Sequence, residues 1–197
     1  MKKLVCLLMV ALLVLPAFSQ KKEANQPQKN PMKPALLVID VQNKYIPMMS
    51  EEDQKVAPEY INAAIWLFRQ YKLPVIRVYH TDPGWGPEPG SEEFAFPKSI
   101  ITEESDPQVI KNYPSAFTKT NLDSILQAKG CNTLFLCGLS ATGCALATYF
   151  GAIDKGYEAI MLKNGLLSQD AELTKAVEQI TESVSWTTLK LILESSR

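Results

Sequence analysis

The chain has 197 residues, a length that suits one domain, since single cores occupy about 100–200 residues. It is 46% hydrophobic and 21% charged with a formal net charge of −1, which excludes bulk disorder and offers no basic face for nucleic acid. One histidine, His80, argues against metal chemistry resting on several imidazoles.

Lys2 and Lys3 precede an apolar stretch from Leu4 to Phe18, and Ala17-Phe18-Ser19 supplies small residues at the spacing a signal peptidase reads. This is the layout of a secretory signal spanning residues 1–19 or 1–20. The apolar run falls short of the ~20 residues a membrane span needs. The expectation is an exported protein, periplasmic or secreted, with no membrane association after cleavage. Removing residues 1–20 deletes two lysines and no acid, which takes the net charge from −1 to −3. Residues 21–33, KKEANQPQKNPMK, are polar with almost nothing to bury, a linker before a domain spanning 34–197. Cys131, Cys137 and Cys144 follow. Three is an odd number, so at least one thiol stays free or pairs with another chain.

From Ala35 to Asp40 a continuous apolar run ends in an acid, as in a strand buried on both faces. Helical spacing extends from Ala57 to Tyr71, and Pro74–Tyr79 is a second strand. Residues 81–107 hold Pro83, Gly84, Gly86, Pro87, Pro89, Gly90 and Pro97, a long loop of the kind that forms a lid or a binding wall. A short strand at Val109-Ile110 precedes a helix at 120–128, with Thr120 as its cap and Asp123 at the third position. The remaining pattern is a strand at 133–138, a helix at 142–155, a strand at 157–162, and helices at 171–180 and 186–193. Alternating strands and helices define an α/β class: a three-layer sandwich, its central sheet mostly parallel with helices on both faces. Ligands of such sheets bind beyond the carboxyl ends of the strands, where Asp40, His80, Lys111 and Gly138 all fall.

Cys144 lies near the start of the helix after strand 133–138, where unpaired N–H groups and the positive dipole end stabilise a thiolate. Cys137 and Cys131 suit structural roles. Cys131 and Cys137 lie ~20 Å apart along an extended strand, too far for a disulfide. A Cys137–Cys144 pair is left open by this reasoning, and an exported location permits it. Asp40, ending an apolar strand, requires a hydrogen bond or a cation, and Lys111 is a candidate for that cation. With such a partner the carboxylate is a candidate general base.

In combination these segments resemble the isochorismatase-like cysteine hydrolases, which include nicotinamidases and related amidohydrolases. Leu36-Leu-Val-Ile-Asp-Val-Gln42 is similar to the family's strand ending in the catalytic acid. Lys111-Asn-Tyr-Pro-Ser-Ala-Phe117 with Thr120-Asn-Leu122 resembles its lysine segment, and Cys137-Gly-Leu-Ser-Ala-Thr-Gly-Cys144 with Ala147-Thr148 resembles its nucleophile loop. The resemblance implies Asp40, Lys111 and Cys144 as a catalytic triad. It also implies a cis peptide at Leu139-Ser140, with the backbone N–H groups of Ser140 and Cys144 as oxyanion donors.

The implied activity is hydrolysis of an amide or related C–N bond of a small molecule through a thioester, with no cofactor. Thr142 stands where nicotinamidases often carry Asp, and their Asp-x-His metal cluster has no counterpart, so no metal is expected. Isochorismatases proper do not use a cysteine nucleophile, which places Cys144 on the amide-hydrolysing side. Substrate-binding candidates are Gln42, Tyr45, His80, Trp85 and Phe117, with Phe94 and Phe96 as further wall residues, and His80 is also an alternative base. The family commonly forms dimers or larger assemblies, so a homo-oligomer is expected by analogy. The rival from another class is a catalytically idle secreted binding protein on the same scaffold.

Overall fold

The computed structural model describes residues 31–195. The expected signal segment and residues 21–30 of the linker lie outside these. Six strands form one wholly parallel sheet: β1 (Pro34–Ile39), β2 (Val75–His80), β3 (Gln108–Lys111), β4 (Thr133–Leu139), β5 (Glu158–Leu167) and β6 (Ser183–Val184). Their spatial order is β3-β2-β1-β4-β5-β6. Every residue of β1 and β4 is buried, which is why both read as continuous apolar runs rather than alternating ones.

Helices cover both faces, α1 (Glu51–Gln70) and α5 (Trp186–Ser195) on one, and α2 (Leu122–Ala128), α3 (Leu146–Asp154) and α4 (Ala171–Ile180) on the other. The period of two along β1 divides its side chains. Leu36 and Val38 pack with Ile61, Phe68 and Leu189, while Ala35, Leu37 and Ile39 pack with Leu126, Tyr149 and Val177. The connections after β1 and β4 thus leave toward opposite faces. The carboxyl ends of those two neighbouring strands are therefore the switch point at which open α/β sheets bind ligands.

Several boundaries differ from expectation. Helix α1 begins at Glu51 rather than Ala57: Ser50 caps it by accepting from the Asp53 N–H at 3.1 Å, three acids occupy its first turn, and it continues through Pro58. Helix α2 begins at Leu122, although Thr120 Oγ1 still accepts from the Leu122 N–H at 3.2 Å. Residues 141–145 form a π-helical turn ahead of α3. Strand β5 runs on to Leu167 through a shift of register against β4, with Asn164 at φ 62°. The stretch 81–107 contains no helix or strand, as expected. Its path is pinned from several sides: Asn43 and Lys44 N–H groups donate to Ala95 and Glu93 carbonyls, and Arg69 pairs with Asp106 at 2.8 Å.

Candidate active site

Asp40 follows β1 in the left-handed region at φ 53°, which a short polar side chain tolerates. Lys111 ends β3, and Cys144 lies in the π turn after β4. The fold brings all three together from separate parts of the chain. Lys111 Nζ is 2.7 Å from Asp40 Oδ2, and both residues are only 1% exposed. The other carboxylate oxygen, Asp40 Oδ1, is buried with no hydrogen-bond partner. Ligand atoms of Asp40, His80 and Cys144 all lie within 4.8 Å of one another.

His80 and Lys111 are register partners on adjacent strands, so their side chains share a face, and Lys111 Nζ also lies 3.0 Å from His80 Nδ1. An ammonium only donates, so Nδ1 is the acceptor and Nε2 carries the hydrogen. Burial and then the Lys111 charge lower the His80 pKa to about 4, which keeps the ring neutral. A neutral imidazole with its acceptor nitrogen engaged is a poor base, which removes His80 from that alternative role. With Lys111 bonded to both Asp40 and His80, an ammonium already stands among the three groups that could hold a metal.

Burial raises the Asp40 pKa above its usual 3.8, with Lys111 opposing. Burial and then the Asp40 charge push the Cys144 thiol up to about 11 against the pull of Lys111. The expected advantage of the helix start is therefore outweighed, and the resting sulfur is a thiol. A carboxylate able to receive its proton adjoins it.

Leu139-Ser140 is a cis peptide, as the resemblance implied. In the π turn, Ala145 N–H donates to Ser140 O at 3.1 Å as the first i→i+5 bond, which leaves the Cys144 N–H ahead of the ladder. Gly138, at φ 112°, lets β4 approach β1. A Cβ there would stand 2.0 Å from Ile39 O. The segment after Lys111 is locked to the helix after Cys144 because Ala116 N–H donates to the buried Thr148 Oγ1 at 3.0 Å. Ser115 packs against Gly151, where any Cβ would meet its Oγ at 2.5 Å.

The other candidates divide. Tyr45 is 6% exposed, its Oη has no partner, and its ring meets His80 edge-on at 6.0 Å and Trp85 at 5.8 Å. Trp85 is exposed on the adjoining turn, with Lys44 over its ring. Gln42 is not free for a substrate. Its amide donates to His80 O at 3.1 Å and accepts from His80 N–H at 2.8 Å, tying the ends of β1 and β2 together. Phe117 stacks on Tyr157 at 5.8 Å, while Phe94 and Phe96 pack on Tyr79 at 4.7 and 4.4 Å, so these three rings are engaged in the core. Cys131, Cys137 and Cys144 are all free, and Cys137 is buried with its thiol on Leu37 O, so the pairing left open by the sequence does not occur.

The isochorismatase domain model matches residues 34–188. The chain is 34% identical over 134 residues to the isochorismatase family protein YddQ of Bacillus subtilis, covering 64% of this chain and 73% of that protein. A maleamate amidohydrolase of Pseudomonas putida is 26% identical over 106 residues, 54% of this chain and 45% of its own length. The crystal structure of N-carbamoylsarcosine amidase from Thermoplasma acidophilum superposes with a TM-score of 0.68 at 27% identity, covering 78% of this chain and 95% of that one. The chain belongs to the isochorismatase family, whose model spans most of the described residues.

Proposed function

We propose that the protein hydrolyses an amide or closely related C–N bond of a small molecule through a thioester on Cys144. The observation that carries this reading is the buried Asp40 carboxylate, held by Lys111 through Oδ2 with Oδ1 left without a hydrogen bond, and within 4.8 Å of the Cys144 sulfur. Asp40 accepts the thiol proton as sulfur attacks the carbonyl, and the N–H groups of Ser140 and Cys144 hold the oxyanion. Protonated Asp40 donates to the departing nitrogen, and the C–N bond breaks to leave the thioester. Asp40 then takes a proton from water, whose oxygen attacks the acyl carbon, and the C–S bond breaks to release the acid and restore the thiol. Lys111 favours the ionised carboxylate, opposing the burial that raises its pKa. Two relatives whose names describe amide substrates support this bond class.

Intact mass measurement after incubation with an amide library tests the route. An acyl adduct on Cys144 is expected, absent in Cys144→Ala, which should also abolish turnover. More than a few per cent of activity in that variant refutes the thioester. Export of the chain is a separate proposal, resting on Lys2, Lys3 and the apolar residues 4–18. Amino-terminal sequencing of mature protein tests it, a chain beginning after residue 19 or 20 being expected.

A further inference from the structure

A cavity of about 650 Å³ opens at the amino-terminal edge of the sheet, beside Pro34, Pro74 and Cys131, which lie at or before the starts of β1, β2 and β4. The catalytic cluster lies at the other edge, so the six residues of β1 place about 20 Å between them. The volume lies in the range of small-molecule sites, about 300–1,000 Å³. Its floor is apolar, with Leu73, Pro74 and Leu193, and Lys33, Lys72 and Lys129 stand in its lining with no acid among them.

The backbone fixes each lysine. Asn132 holds the strand bearing Lys33 through three hydrogen bonds, accepting from Lys33 N–H at 2.7 Å and donating to Lys33 O at 3.0 Å and Pro31 O at 2.9 Å. Lys72 adopts φ 55°, its N–H on Arg69 O at 2.9 Å. Lys129 caps α2, its N–H on Ile125 O at 3.2 Å. Among the described residues none of the three forms an ion pair. Lys33 and Lys129 both act on the Cys131 thiol in the same wall.

The last turns of α1, α2 and α5 reach this cavity, and each helix end carries about half a negative charge. Three ammonium groups are twice what is needed to offset them, leaving an excess of about 1.5 positive charges.

We propose that this cavity binds a small amphiphilic anion, its phosphate or carboxylate among Lys33, Lys72 and Lys129 and its apolar part on Leu73, Pro74 and Leu193. The site is independent of the catalytic reading, and the Cys144→Ala chain serves to measure it without turnover. Calorimetric titration with octyl phosphate and octanoate should give sub-millimolar binding that weakens with added salt. The exposed pair Lys72→Glu and Lys129→Glu should weaken it at least tenfold with an unchanged circular dichroism spectrum. Absence of binding overturns the proposal, as does equal binding by the double variant. Octanol or octylammonium binding as tightly shows that charge is not read, and inorganic phosphate binding as tightly shows that the floor is not. Retention on phosphatidylglycerol vesicles without binding of the soluble probes points to a membrane surface and overturns the small-ligand assignment.

Discussion

Replacing Asp40 by asparagine separates two effects of one carboxylate, which raises the thiol pKa and receives the thiol proton. The nearest ligand atoms of Asp40 and Cys144 are no more than 4.8 Å apart. Two unit charges at that distance interact by about 3.5 kcal/mol at an effective dielectric near 20, and by under ~1 kcal/mol in a water-like medium. At 1.36 kcal/mol per unit the first figure is about 2.5 pKa units. The Cys144 thiol of Asp40→Asn should therefore titrate well below about 11, the unopposed Lys111 charge acting in the same direction. Thiolate at neutral pH then rises by roughly two to three orders of magnitude, yet turnover falls ~10²–10⁴-fold because the proton acceptor is gone. Iodoacetamide alkylation followed by intact mass across pH reads the first quantity, and hydrolysis of the adduct-forming amide reads the second. A variant with an unmoved alkylation midpoint, or one that retains turnover, refutes the assignment of Asp40 as base.

Chelators should leave activity intact, because the Lys111 ammonium is already bonded to both Asp40 and His80; loss with EDTA and recovery with zinc contradicts this. His80 is held near 4 when folded against about 6.5 for an ordinary histidine, so the unfolded chain binds more protons between those values. Its contribution is complete above pH 6.5 and is lost as pH falls toward 4, whereas the raised Asp40 pKa works in the opposite sense over its own window. His80→Asn should accordingly lose less of its thermal midpoint on acidification than wild type, and parallel curves refute the reading. Gly138→Ala should lose ~3 kcal/mol or more in denaturant unfolding, since its Cβ collides with the β1 backbone. An alanine variant of native stability shows that the strand approach is looser than described.

What the sequence discloses follows from burial. Strands β1 and β4 are apolar, and β2 largely so, because both faces of the sheet are covered, and the ends of the three already locate Asp40, His80 and Gly138. The cluster of Asp40, Lys111 and Cys144 is legible because three local motifs carry it. Features that depend on contacts between distant segments are not. Helix α1 has a polar first turn and an internal proline, so its apolar spacing starts late. Lys163-Asn164-Gly165 reads as the end of a strand, although β5 passes through it by shifting register. Two-residue β6 gives no periodic signal, and the small residues of the π turn at 141–145, ATGCA, run into α3 without a breaker to mark the change. The Lys111–His80 bond arises from pairing between β2 and β3, strands separated by the long loop. Gln42 and Phe117 have side chains fit for a pocket, and only tertiary structure shows that other partners hold them.

The ammonium of the cluster comes from β3, four residues long and hydrogen-bonded to the sheet on one side only. Outermost strands are where local opening is least costly. If β3 frays, the carboxylate loses its counter-charge and the neighbouring imidazole its donor at once, while the turn bearing Cys144, anchored to the central strands, stays in place. Reactivity here is tied to the rim of the sheet, so amide exchange at Val109 and Ile110 should track loss of turnover during mild heating before the core opens.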